Sequence, residues 1–354
     1  MNTTTVLICG GYTHTDAAGI HLYDASDPDG ALNDIGAFDQ LEHPSYLAIH
    51  PKLPIVYAVS EVAEFDGQRG GGIVALAVDI ASGTIDELDR ISSLGTAPCH
   101  LSIAADGSGV FVANYGSGSV SAYALEPDGH FGPLRRHHQH RGAGPHPRQD
   151  APHAHCVRPD PSGRSLFALD LGTDEIVRYD LDHRDLDRCD ATSATPGAGP
   201  RQITFHPSDP RAFVVNELDN SITAYATDEP DGGLRPLATA STLPDAATPS
   251  IAADIQIHPE GHRIYASNRG DDSIAIFDCA DPDDPLRPLG QVDSGGRTPR
   301  ATVLHPSTTT FFVANQDSDT IVAFAVDPDG ILYERGVSAC PSAPTCLVTS
   351  ELAT

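Results

Sequence analysis

The chain has no tryptophan, and aromatic residues make up only 6% of it. That composition does not describe a binding platform built from exposed aromatic patches. Long apolar runs are also missing: nothing approaches the ~18 residues that a membrane-spanning helix needs. Met1-Asn2-Thr3-Thr4 lacks the charged-then-apolar pattern of an export leader, so a soluble cytoplasmic protein is expected. The 7 cysteines are odd in number and contain no Cys-x-x-Cys pair, which favours reduced thiols over a disulfide frame. Lysine is nearly absent. Lys52 is alone among 21 basic residues, which face 49 acidic ones for a net charge of −28. Such a surface repels nucleic acid and anionic membranes, and neither is an expected partner.

What is present is a repeat. Gly199-Pro200-Arg201-Gln202-Ile203-Thr204-Phe205-His206-Pro207, then Ala212 to Glu217, then Ser221 to Tyr225, reads as three short strands separated by Pro, Asp and Asn turns. The same parts return at about 50-residue intervals, opened by Pro44, Pro98, Pro152, Pro200, Pro299 and Pro344, with Ala252 standing for proline in one copy. The second run of each copy stops at Ser60-Glu61, Asn114-Tyr115, Asp170-Leu171, Asn216-Glu217, Asn268-Arg269 or Asn315-Gln316. Pro-Asp-Gly turns follow the third run at residues 28–30, 127–129, 230–232 and 328–330. Four strands at this spacing, without a 3.6-residue period, make a propeller blade. Pro344 to Thr354 has room for one strand, and Thr4 to Ala25 supplies two runs with no opening strand. The termini are therefore expected to share a blade and close the ring. The expectation is an all-β, seven-bladed β-propeller forming a single domain over residues 1–354.

The repeat register turns sequence into geometry. An antiparallel blade starts its innermost strand and ends its second strand on the same face. The positions after the opening proline are Ser45, Cys99, His153, Arg201, Ala253, Arg300 and Thr345. Those after the second run are Glu61, Tyr115, Leu171, Glu217, Arg269 and Gln316. His153 and Arg201, one repeat apart, are expected to be neighbours. Paired rim charges would be the bland reading, and it is preferred for Glu61. For His153, Arg201, Glu217 and Arg269 the convergence points to chemistry. The pairs His50-Pro51, His206-Pro207, His258-Pro259 and His305-Pro306 fall at the far end of the inner strand, where turn capping is expected. Six histidines crowd residues 137–155, but interleaved Pro and Gly give no metal-ligand spacing. His137, His138 and His140 are expected in a solvated loop, and no metal is assigned.

The combination Ala97-Pro98-Cys99-His100-Leu101, Ala113-Asn114-Tyr115-Gly116-Ser117-Gly118, Arg148-Gln149-x-x-Pro152-His153-Ala154-His155, Asp170-Leu171-Gly172-Thr173-Asp174, Gly199-Pro200-Arg201, Val215-Asn216-Glu217-Leu218, Ser267-Asn268-Arg269-Gly270 and Ala314-Asn315-Gln316 resembles the seven-bladed propeller lactonases. That family includes propeller-type 6-phosphogluconolactonases and fungal carboxy-muconate cyclase. The resemblance implies a cofactor-free site of His, Glu and Arg, falling on His153, Arg201, Glu217 and Arg269. One departure is Arg201-Gln202, where many relatives resemble Arg-His.

These residue types suit opening of a sugar δ-lactone, the expected small-molecule substrate. Imidazole, with a pKa of ~6.5, can take a proton from water and return it to the ring oxygen. His153 is assigned that role, while Glu217 either orients it or acts as the base. Arg201 and Arg269 suit the oxyanion or an anionic substituent. Arg300, His100, His155, Gln316 and Arg148 are candidate phosphate or hydroxyl contacts. The preferred substrate is 6-phosphoglucono-δ-lactone. A muconate-type cyclase would run the same basic cleft towards lactone formation, and a non-enzymatic platform is the other alternative. A metal-dependent hydrolase would need acidic or Asn ligands where arginines stand. A monomer or weak homo-oligomer is expected. The −28 charge predicts adaptation to a salt-rich cytoplasm, because salt screens self-repulsion. The melting temperature should rise from low to molar KCl; a flat or falling response would point instead to an ordinary acidic protein.

Overall fold

A computed structural model describes residues 3–13, 17–181, 186–229, 232–244 and 249–353. Residues 14–16 of the expected N-terminal runs, Pro230-Asp231 of one expected turn, Met1-Asn2 and Thr354 lie outside the described residues. Seven four-stranded sheets are formed. In chain order, blade 1 runs Leu47–Ile49, Ile55–Ser60, Gly72–Asp79 and Thr84–Ser92; blade 2 runs Pro98–Ile103, Gly109–Asn114, Ser119–Leu125 and Phe131–Gln139. Blade 3 comprises Ala154–Pro159, Ser165–Asp170, Glu175–Asp180 and Asp187–Ser193; blade 4 comprises Pro200–Phe205, Arg211–Asn216, Ser221–Ala226 and Arg235–Ser241. Blade 5 is built from Ile251–Ile257, Arg263–Arg269, Ser273–Asp278 and Arg287–Asp293, and blade 6 from Pro299–Leu304, Thr310–Asn315, Thr320–Val326 and Leu332–Ala339. In blade 7 the C-terminal strand Ala343–Ala353 pairs antiparallel with Thr3–Tyr12, and Ile20–Asp24 and Asn33–Phe38 complete the sheet. The termini share a blade, as the repeat count predicts. Among the described residues no helix is long and apolar enough to cross a membrane.

The chain divides into two compact units. One is Ala18–Ile20 with Gly36–Pro200, holding blades 1–3; the other is Met1–Ala17, His21–Ile35 and Arg201–Thr354, holding blades 4–7. Each is built the same way. Gly109–Asn114 and Thr310–Asn315 are buried along their whole length. Alternate residues of such a strand face opposite ways, so each side meets a different neighbour. In the first unit Val110 and Val112 pack with Tyr57, Val59 and Ile73 of blade 1, while Phe111 and Ala113 pack with Val157, Leu166 and Ala168 of blade 3. In the second, Phe311 and Val313 face Tyr265 and Ile274 of blade 5, and Phe312 and Ala314 face Leu7 and Cys9 of blade 7. Outer strands such as Asp187–Ser193 and Arg287–Asp293 are mostly exposed. A bulge recurs where third and fourth strands pair, at Ala122/Tyr123, Arg178/Tyr179, Ala224/Tyr225, Ile276/Phe277 and Ala323/Phe324. It increases the local twist of each outer edge.

The His-Pro turns behave as expected. Nδ1 of His50, His206, His258 and His305 accepts the backbone N–H two residues on, at 3.1, 3.3, 3.3 and 3.0 Å. The histidine-rich segment does not form the expected solvated loop. His137 and His138 lie within the outer strand of blade 2, bonded to Ser121 Oγ and the Leu186 carbonyl at 3.0 and 2.6 Å, and His140 is buried. The alternation of an outer strand leaves half of its positions polar, which resembles loop composition.

Burial holds His50, His206, His258 and His305 below the ordinary imidazole pKa. Their unfolded forms therefore bind protons first as pH falls. Stability from these turns is complete above ~6.5 and is lost as pH drops through the depressed folded values. Denaturant midpoints measured from pH 7.5 to 5 should fall, and His206→Asn should flatten the decline; an unchanged slope would remove His206 from the account.

Candidate active site

In the unit of blades 4–7, Arg201 is the second residue of the inner strand of blade 4 and Glu217 follows the second strand. Arg201 Nε donates to Glu217 Oε2 at 2.7 Å, and Arg269 Nη2, from the second strand of blade 5, donates to the same oxygen at 2.8 Å. Arg201 also donates to the Ala253 carbonyl, and Arg269 to that of Ala252 at 3.1 Å. Arg201 and Glu217 are almost wholly buried. One carboxylate thus holds two guanidinium groups, leaving local positive charge in excess. Burial pushes Arg269 down to about 9; Glu217 opposes the shift, while Arg201 and Arg300 add to it. Arg269 Nε is buried without a hydrogen-bond partner among the described residues. Arg300 donates to Gln316 Oε1 at 3.2 Å and to the Tyr12 hydroxyl at 2.9 Å, with its guanidinium 5.1 Å from the Tyr12 ring centroid.

In the unit of blades 1–3, a second cluster gathers on Tyr115. The His153 ring stacks on Tyr115 at 4.5 Å and 15°, and its Nδ1 lies 3.0 Å from the Tyr115 carbonyl. A carbonyl only accepts, so Nδ1 carries the hydrogen and Nε2 is the basic nitrogen. His155 meets Tyr115 edge-on at 5.8 Å, and Arg148 Nη2 donates to the Tyr115 hydroxyl at 3.3 Å. His100 lies beside this cluster, on the inner strand of blade 2. It is buried, its ring 4.0 Å from Tyr46, with Val157 N donating to Nδ1 at 3.4 Å and Cys156 Sγ 3.5 Å from Nε2. Ser45 donates to the Glu61 carboxylate.

Strand pairing corrects the register of one residue. Ala154 pairs with Asp170 just as Pro98 pairs with Asn114 and Pro299 with Asn315. His155, not His153, is thus the counterpart of Cys99 and Arg300, each the extra residue of a bulge. The bulge aims these side chains away from the regular alternation. His153 instead holds the preceding place, where its carbonyl accepts Leu171 N as Ala97 accepts Tyr115 N. The separation between partners carried the signal: it is 16 for Ser45–Glu61, Arg201–Glu217 and Arg300–Gln316, and Leu171 stands at the same offset from His155. Tyr12 escaped the sequence reading because it ends the second strand of the shared blade, far in sequence from Arg300. A cavity of about 350 Å3 lined by Phe111, Ala122, Arg135, Leu181 and Leu186 contains none of the expected site residues.

The excess positive charge around Arg269 predicts anion binding. Inorganic phosphate should raise the melting temperature by mass action, and Arg269→Ala should remove most of that gain; an equal gain in the variant would place the anion elsewhere. Residues 6–348 match the family model described as lactonase, 7-bladed beta-propeller. The chain is 32% identical over 321 residues to a 6-phosphogluconolactonase of Bacillus subtilis, covering 90% of each. It is 30% identical over 317 residues to one of Formosa agariphila, covering 87% of this chain and 88% of the other. The structure of a periplasmic gluconolactonase from Pseudomonas aeruginosa superposes with a TM-score of 0.90 at 28% identity, over 98% of this chain and 99% of that one. The chain therefore belongs to the seven-bladed β-propeller lactonases, a family of carboxylic-ester hydrolases.

Proposed function

We propose that the protein hydrolyses a sugar δ-lactone, with 6-phosphoglucono-δ-lactone as the preferred substrate and 6-phosphogluconate as the product. The observation that carries this reading is the Arg201–Glu217–Arg269 arrangement, in which two guanidinium groups share one carboxylate and one buried N–H has no partner. Charge of that kind, held out of water, favours an oxyanion over a neutral carbonyl. His153 takes a proton from the attacking water through Nε2, because Nδ1 is committed to the Tyr115 carbonyl. The proton returns to the departing ring oxygen. Glu217 is assigned the role of anchor for the two arginines, since both guanidinium groups occupy Oε2. Arg300, Gln316 and Arg148 are assigned to the phosphate and hydroxyl groups, with Tyr12 fixing Arg300 and His155 bordering Tyr115. No cofactor is required by this chemistry. The overall negative charge opposes an anionic substrate at long range, and salt screens that opposition.

The test compares freshly generated 6-phosphogluconolactone with unphosphorylated gluconolactone in molar KCl with chelator, after subtraction of spontaneous opening. The phosphorylated lactone should be preferred, and Arg201→Ala and Arg269→Ala should each lower kcat/KM by ~10²–10³ while remaining folded. Wild-type rates in both variants would remove the assignment, and turnover of neither lactone would overturn the proposed reaction.

A further inference from the structure

Three of the joints between consecutive blades share one device, and the joint between blades 2 and 3 replaces it with another. At the end of the second strand, or one residue before it, stands Asn114, Asn315 or Asn268, whose Nδ2 donates to the carbonyl of Ser93, Ser294 or Thr242 at 3.2, 3.0 and 3.1 Å. Each acceptor is the residue just past the outer strand of the preceding blade. Between blades 2 and 3 both positions change together: Asp170 replaces the Asn and His140 the small hydroxyl residue. His140 Nδ1 lies 2.6 Å from Asp170 Oδ2, and His140 Nε2 lies 2.6 Å from the Tyr179 hydroxyl. Asp170 and Tyr179 are fully buried and His140 nearly so. With a neutral imidazole and an ionised carboxylate, the donor order is Tyr179 O–H to Nε2 and Nδ1–H to Asp170.

The exchange changes what the joint can hold. An Asn spends its amide as a donor across the joint, whereas a carboxylate has only acceptors. With Oδ2 taken by His140, Oδ1 accepts three backbone N–H groups: His153 at 2.7 Å, Gly172 at 3.0 Å and Thr173 at 3.1 Å. The His153 carbonyl is held by Leu171 N at 3.0 Å, and its ring Nδ1 by Tyr115. The His153 peptide is thus pinned on both sides before its ring is placed. Gly172 is required here, since a Cβ would meet the Ala151 carbonyl and come within 2.7 Å of His153 N.

We infer that Asp170 and His140 are positioning residues that set the backbone and ring tautomer of His153. The inference rests on the proton-carrying role proposed for His153, but its geometric content is independent of any reaction. Misplacing a catalytic group by about 1 Å can cost ~10²-fold in rate. Asp170→Ala should lower kcat ~10- to 100-fold with little change in KM. Asp170→Asn, which keeps an acceptor for the three N–H groups, should recover most of the loss. Imidazole nitrogen NMR on 15N-histidine protein, with His153→Gln to assign the signals, reads the position without substrate. Wild type should show His153 with hydrogen on Nδ1, and Asp170→Ala should show the two tautomers averaging. If Asp170→Ala does not fold, His140→Ala gives the same reading, with His140→Asn as the conservative rescue. An unchanged His153 signal in whichever of the two Ala variants folds, or no recovery by the conservative variant, would overturn the inference. Absence of lactone turnover with the NMR changes present would instead remove the proposed reaction and leave the positioning intact.

Discussion

The structure depends on inner strands that are buried on both faces. A strand such as Thr310–Asn315 sends alternate side chains to different neighbours, so it has no solvent face and is incomplete without a blade on either side. Burying a large apolar side chain contributes ~1.5–3 kcal/mol, and each inner strand carries several. That burial is why the first N-terminal strand must find the C-terminal one: Leu7 and Cys9 cover Phe312 and Ala314 of blade 6. Outer strands meet water instead and carry the charge, including Arg188, Arg235 and Arg287. Such residues discourage edge pairing with other chains.

Polar groups at the joints set what the scaffold presents. Asn114, Asn268 and Asn315 donate across their joints to a single carbonyl. Replacing such an Asn with Asp170 and His140 turns the same position into an anchor for the His153 backbone. Glu217 works differently, because it compensates only one of the two guanidinium groups that it binds. A buried pair of this kind contributes little net stability. The protein thus keeps a local positive site inside a chain whose net charge is −28.

Inner strands were legible in the sequence because continuous burial writes continuous apolar runs, as in Phe111-Val112-Ala113 or Phe311-Phe312-Val313. Outer strands were less so, and the mostly polar strand Phe131–Gln139 read as a histidine-rich loop. The repeat register placed Arg201 and Glu217 on the same face, and their ion pair came only from the structure. For His153 the register misled, since Pro152 resembles the opening proline of other copies while the strand itself begins at Ala154. His100 belonged to a quoted motif, yet it is buried with its ring against Tyr46.

By itself the sequence determined the number of blades, the sharing of one blade by the two termini and the residue types available for chemistry. These are periodic properties, and periodicity survives in one dimension. Tertiary structure decided which nitrogen of His153 carries the hydrogen, that Glu217 is engaged by two arginines, and that Tyr12 reaches Arg300 across 288 positions. Each of those depends on bulges, on hydrogen-bond direction and on contacts between residues distant in the chain. No spacing encodes them, because they arise only when separate strands compete for the same donors and acceptors.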